Sequence, residues 1–229
     1  MHKIILPTLL ISNACFADIS VNKHSIVYQG TLNEPDNTQV QLLLETHSSI
    51  DTLVISSGGG PIELGIDLAE LIQKHALRVK INGFCFSSCA NYILLSGRPT
   101  EVAKDAVIGW HGDASSARWR NSDIDAMVDN LQGEQRKQKW AELRAHYDAV
   151  IEQLSAREKA FYQSMGVEHT LLTYGFTAHI VKQAKTNQAR GWSYSPQALM
   201  SFGVKNITFN DWRPRSPANF PLVIIDSIK

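Results

Sequence analysis

Apolar residues recur along this chain with two periods, and the periods take turns. His24–Gly30 reads as a strand with a turn, Thr52–Ser56 is a β-rich apolar run ending in glycines, and Leu77–Asn82 alternates apolar and polar positions as a strand does. Between them, Thr38–His47 carries Val40, Leu43, Leu44 and His47 at helical spacing. A second helix is predicted from Pro61, with Ile62, Ile66, Ala69 and Ile72 on one face. A short buried helix is expected at Ser88–Leu95, a turn at Gly97–Pro99 and a strand at Ala106–Trp110. Such alternation predicts an α/β fold with a largely parallel sheet.

After His111 the pattern becomes helical. Ser122 is placed to cap a helix bearing Ile124, Met127, Val128 and Leu131, and Trp140, Leu143, Tyr147, Val150, Ile151 and Leu154 continue the spacing. The polar stretch Gln132–Lys139 predicts a solvated segment or a kink at Gly133. The region at about 120–170 is therefore expected to be a helical arm, serving either as a subunit contact or as a cover for its own domain. From Trp192 the α/β pattern returns: a helix opened by Ser195-Pro196, a strand over Val204–Phe209, and an apolar edge strand within Phe220–Ile225.

Composition narrows the classes. The chain has 229 residues, 44% hydrophobic and 19% charged, with a formal net charge of zero. That suits a single globular domain over 18–229 and leaves no basic footprint for nucleic acid. The N-terminus stands apart: His2-Lys3, the apolar Ile4–Ile11, then Ala14-Cys15-Phe16-Ala17. This is the pattern of a signal peptide, residues 1–17, cut after Ala17. Its apolar stretch is too short for a permanent span, and no later segment reads as one. Ser12-Asn13-Ala14 lacks the apolar residue expected ahead of a lipoprotein cysteine. The mature chain is thus expected in the periplasm or secreted, with Cys85 and Cys89 as its only thiols. Oxidising conditions and four-residue spacing favour a bridge between them, the alternative being a reduced, buried pair. Two sulfur ligands without a regularly spaced partner do not predict a metal site.

Three segments carry candidate chemistry. Ser87, in Cys85-Phe86-Ser87-Ser88-Cys89, sits where a strand gives way to a helix, so its hydroxyl can face a cleft. Ser88 is the rival nucleophile, and either serine can instead be a helix cap. Ser56-Ser57-Gly58-Gly59-Gly60 lets backbone N–H groups approach an anion, or simply makes a tight turn. It lacks the endings of a P-loop or a dinucleotide fingerprint. His111 closes a strand among small residues, where a neutral imidazole can take a hydroxyl proton.

Taken together, these segments resemble the proteolytic subunit of the Clp protease within the Clp/crotonase superfamily. The resemblance runs from Ile26 to about His111 through Tyr28-Gln29-Gly30, Ile55–Gly60 with Gly65, Gly83-Phe84-Cys85-Phe86-Ser87 and Ile108–His111, with a weaker echo at Tyr194–Ala198 and Gly203-Val204. The Cys-x-Ser-x-Cys variant looks like an exported bacterial branch. The resemblance implies repeated β-β-α units, Ser87 as nucleophile, His111 as base 24 residues later, and an oxyanion hole from Gly59, Gly60 and Ser88. It also implies a peptide or unfolded-protein substrate, a homo-oligomer and no cofactor.

Two departures qualify it. Family members carry an orienting Asp near the position of Arg190, where this chain has Thr186-Asn187-Gln188-Ala189-Arg190. Asn187 is the candidate third member, Asp113 an alternative, and a Ser–Lys dyad with Lys159, Lys182 or Lys185 a further one. Export also removes the ATP-driven unfoldase, so cleavage would be ATP-independent. The expected function is a serine peptidase or acyl hydrolase. The main alternative is a non-catalytic binding or assembly protein of the same fold, and a coenzyme-A enzyme is disfavoured by export.

Overall fold

The computed structural model describes residues 17–228. The proposed signal peptide lies outside the described residues except for Ala17. That residue is buried against Gly30 and donates its N–H to the Asp36 carboxylate at 2.7 Å.

The fold is mixed α/β with a mostly parallel sheet and one long helix. Strands β1 (Asp18–Asn22) and β2 (Ser25–Gln29) form an antiparallel hairpin. The chain then passes through α1 (Glu34–Thr46), β3 (Thr52–Ser57), α2 (Ile62–Lys74) and β4 (Arg78–Phe86). A π-helical turn, Cys89–Ile93, runs into α3 (Leu94–Ser96), followed by the short strands β5 (Thr100–Val102) and β6 (Val107–Gly109). Helices α4 (Asn121–Met127), α5 (Gly133–Met165) and α6 (Ala178–Asn187) follow. The chain closes with β7 (Trp192–Tyr194), α7 (Pro196–Ser201), β8 (Ile207–Thr208) and β9 (Val223–Ile225). The main sheet is ordered β1-β2-β3-β4-β5-β8, all parallel after the first pair, with β6 also paired to β4; β7 and β9 form a separate parallel pair.

The elements form for local reasons. Asn33 accepts the N–H of Asp36 and starts α1 with a proline in its first turn, so the helix begins four residues before the expected start at Thr38. Val40 and Leu44 of α1 and Ile66, Ala69 and Ile72 of α2 are buried beneath the sheet. Each large aliphatic side chain so buried contributes about 1.5–3 kcal/mol.

Strand β4 decides the architecture. Its first half pairs with β5 through Val79–Ile81, its second with β6 through Phe84–Phe86. The change of partner falls at Gly83, whose φ of +107° suits glycine, and the freed N–H of Phe84 donates to Ser56 Oγ at 3.1 Å.

The sequence expectations need adjusting at three places. Of the two alternatives for Gln132–Lys139 the solvated one holds: Gly133 begins α5 instead of kinking a helix, and α5 then runs unbroken for 33 residues. Val204–Phe209 contributes only the two-residue β8. β1 and α6 had no sequence signal strong enough to predict, because β1 is an edge strand with no fully buried residue and α6 buries only Ile180. Among the described residues, no helix is long and apolar enough to cross a membrane.

Candidate active site

Ser87 and His111 leave the carboxyl ends of neighbouring parallel strands, the usual place for a site in an α/β sheet. Ser87 follows β4 directly and adopts φ +58°, a left-handed conformation uncommon outside glycine. Its N–H is held by Gly109 O at 3.2 Å, and its carbonyl accepts from Asn91 at 2.8 Å. This turn points the hydroxyl toward β6. On that side Trp110 exchanges both backbone hydrogen bonds with Trp192, at 2.8 and 2.9 Å, and so fixes the residue before His111. The result is a hydrogen bond of 2.7 Å between His111 Nε2 and Ser87 Oγ. Phe86 stacks on the imidazole with centroids 5.1 Å apart, and Phe220 meets Phe86 edge-on. His111 is solvent-exposed, yet the surrounding protein removes enough water to lower its pKa below that of a free histidine. The neutral base form is therefore favoured.

A disulfide joins Cys85 to Cys89, with Cα atoms 5.2 Å apart, and so straddles Ser87. Both residues are fully buried. Replacing both with alanine is expected to lower stability by about 2 kcal/mol, the value for so short a closed loop. Urea unfolding of the oxidised wild type and of the double variant measures this directly.

Ser88 is buried and donates its hydroxyl to Gly60 O at 2.7 Å, tying the turn after β4 to the glycine turn after β3. Gly59 approaches so closely that a Cβ there would lie 2.6 Å from Phe86 O and 2.8 Å from Ser88 N. Its N–H does not face an open anion site: it donates to Ser57 Oγ at 3.1 Å. The N–H groups of Gly60 and Ser88 donate to no described residue. Both residues line one cavity of about 470 Å³ with Ser87, His111, Asn91 and Phe176.

Among the described residues, no third residue orients His111 through a side-chain hydrogen bond. Asn187, the last residue of α6, is exposed and is not brought to the imidazole. Asp113 is engaged elsewhere: its Oδ1 accepts from Ser116 N, Ser115 Oγ and Ser116 Oγ at 2.9, 2.8 and 2.6 Å. Burial works to raise its pKa, but these bonds prevail and hold the carboxyl below the usual range. Lys159, Lys182 and Lys185 are all exposed, and none bonds to Ser87.

The sequence reading missed Glu158. It lies on α5 among Ile151, Phe161 and Tyr162, and it is completely buried. Its Oε1 accepts from Tyr92 at 2.5 Å; its Oε2 accepts from Ala114 N at 2.9 Å and pairs with His169 Nε2 at 3.0 Å. Burial first, then the neighbouring Glu158 carboxylate, keeps the Tyr92 phenol protonated well above its usual range. Tyr92 lies five residues after Ser87 and Ala114 three after His111, so one carboxylate holds both halves of the site. Asp113, Glu158 and His169 offer ligand atoms within 4.8 Å of one another, and three contacts already engage the Glu158 carboxylate. A charge on an apolar helix stripe was the available signal. Glu158→Ala is expected to cost about 3 kcal/mol by leaving the buried donors of Tyr92 and Ala114 and the half-buried His169 unanswered, and Glu158→Gln less, as guanidinium titrations of both variants would show.

No family model matches this chain, and no curated protein does. Among solved structures it is similar to the ClpP protease catalytic domain from Plasmodium falciparum, with 19% identity and a TM-score of 0.34 over 38% of this chain. The match spans about half the length of that structure's chain, 53%.

Proposed function

We propose that this chain is a serine hydrolase that cleaves peptides or related acyl compounds. The observation that carries the reading is the 2.7 Å hydrogen bond between Ser87 Oγ and His111 Nε2, at the edge of a cavity lined by free backbone donors. His111 takes the Ser87 proton as Oγ bonds to the substrate carbonyl carbon. The developing oxyanion is received by the N–H groups of Gly60 and Ser88, with Gly59 joining only once its N–H leaves Ser57. His111 then protonates the leaving group as its bond to carbon breaks. Water then bonds to the acyl carbon, giving one proton to His111; the C–Oγ bond breaks, the acid is released, and His111 returns the proton to Ser87 Oγ. The same reading includes export, cleavage without an ATP-driven partner and assembly of copies of the chain.

The test is a fluorophosphonate probe on the folded protein, with mass spectrometry of the adduct. Labelling is expected at Ser87 and at no other residue, and is lost in Ser87→Ala. Absence of labelling in the wild type, with the disulfide either formed or reduced, would turn the reading toward a non-catalytic binding protein. The Ser57 hydroxyl on Gly59 N–H is the feature that favours that second reading.

A further inference from the structure

His111 is the shared wall of two cavities. One contains Ser87 and the free backbone donors; the other, also of about 470 Å³, borders it at His111 and contains neither. Phe176, about half exposed, borders both. The second cavity is walled by Ile180, Val181 and Ala184 of α6 and by Trp192. Trp192 is 4% exposed, and its indole N–H has no hydrogen-bond partner among the described residues. Lys185 and Arg190 line the same cavity, both are exposed, and neither takes part in an ion pair among the described residues. The guanidinium of Arg190 instead lies 5.5 Å from the centre of the Phe220 ring. Among the described residues, no carboxylate lines the cavity. The α6 carbonyls of Ala184 and Lys185, which would repel an anion, are covered by the N–H groups of Ala189 and Gln188.

We infer that this second cavity receives the leaving-group side of the substrate, and that the leaving group it fits is a C-terminal residue with a bulky apolar side chain and a free carboxylate. The inference rests on the hydrolase reading above. The acyl part must reach Ser87 and the backbone donors, so it occupies the first cavity. The leaving amine must receive its proton from His111 Nε2, so its nitrogen departs beside Ser87, and the rest of the leaving residue passes His111 and Phe176, the two residues both cavities share, into the second cavity. There the walls are apolar and the two lining charges are positive. A large aromatic or aliphatic side chain fills the space between α6 and Trp192, and the α-carboxylate at its root meets Lys185 and Arg190. In the hydrolytic step the peptide C–N bond breaks, the amine nitrogen takes the proton from His111, and the free amino acid leaves from this cavity.

Binding tests the inference without requiring chemistry. Calorimetry on Ser87→Ala protein would compare N-acetyl-Ala-Phe, its C-terminal amide, and N-acetyl-Ala-Ala. The free acid of the Phe peptide is expected to bind at least about tenfold more tightly than either of the others. Lys185→Gln combined with Arg190→Gln, both at exposed positions, is expected to erase the acid-over-amide preference. Val181→Trp is expected to erase the preference for Phe over Ala. Equal binding of acid and amide, or a preference that survives the charge substitutions, would overturn the assignment. Because the nucleophile is absent throughout, these outcomes stand apart from the fluorophosphonate result: labelling with no carboxylate preference sinks the subsite alone, and absent labelling sinks the hydrolase.

Discussion

His111→Ala is expected to lower the rate of Ser87 acylation by about 10²- to 10⁴-fold, the range that a positioned general base supplies. The imidazole is the only described side chain that bonds to the Ser87 hydroxyl, and the exposed lysines stand elsewhere. Without it the proton must pass to water. The wild-type pH profile carries the same argument. Burial depresses the His111 pKa, so its neutral, base-competent form persists below the ordinary value of about 6.5. Activity should therefore be full at neutral pH and fall on acidification, with the acid limb of kcat/KM centred below that value. The sign for stability is the same. Between the folded and unfolded pKa values the unfolded chain binds more protons at this group, so its contribution weakens as pH falls through that window. Stopped-flow acylation with an activated ester across pH 4–8, on wild type and variant, gives both readouts (an assay range of about four units). An acid limb centred above 6.5, or an alanine variant as fast as wild type, would remove His111 from the role.

Gly59→Ala is expected to cost about 10²-fold in the same acylation rate. Gly59 has φ +89°, a region closed to side chains without strain. An added Cβ would also stand 2.6 Å from Phe86 O, 2.8 Å from Ser87 Cβ and 2.8 Å from Ser88 N. All three neighbours belong to the turn that aims the nucleophile, and two are backbone atoms that cannot swing aside. Relief must come from moving that turn, and a displacement of about 1 Å between reacting groups is worth about 10²-fold. Gly58→Ala is the control: it is exposed, has a negative φ and meets nothing within 4 Å, so its rate should match wild type. Circular dichroism on both variants separates a misplaced nucleophile from an unfolded chain.

The sequence exposed much of the scaffold because the elements near the sheet bury strongly periodic faces. α2 was legible from Ile62, Ile66, Ala69 and Ile72, and β4 from its alternation up to Asn82. β1 and α6 were not, since an exposed edge strand and a helix with one buried residue leave little apolar period to read. The same limit applied to the site. Ser87 and His111 were marked by their places at strand ends. Glu158 was hidden because a carboxylate inside an apolar stripe declares itself only when its three donors arrive from other parts of the chain.

By itself, the order of residues determined the alternation of strands and helices, the cysteine pair around Ser87 and the identity of the groups able to act. Only the tertiary structure decided which of them meet. The bend at Gly83 turns β4 from β5 to β6 and brings His111 onto Ser87, while α6 ends with Asn187 in solvent and Ser57 takes the N–H of Gly59. The physical reason is that hydrophobic periodicity is a local property of neighbours in sequence. A 2.7 Å contact across 24 residues depends on the register and bend of two strands, which no local pattern encodes.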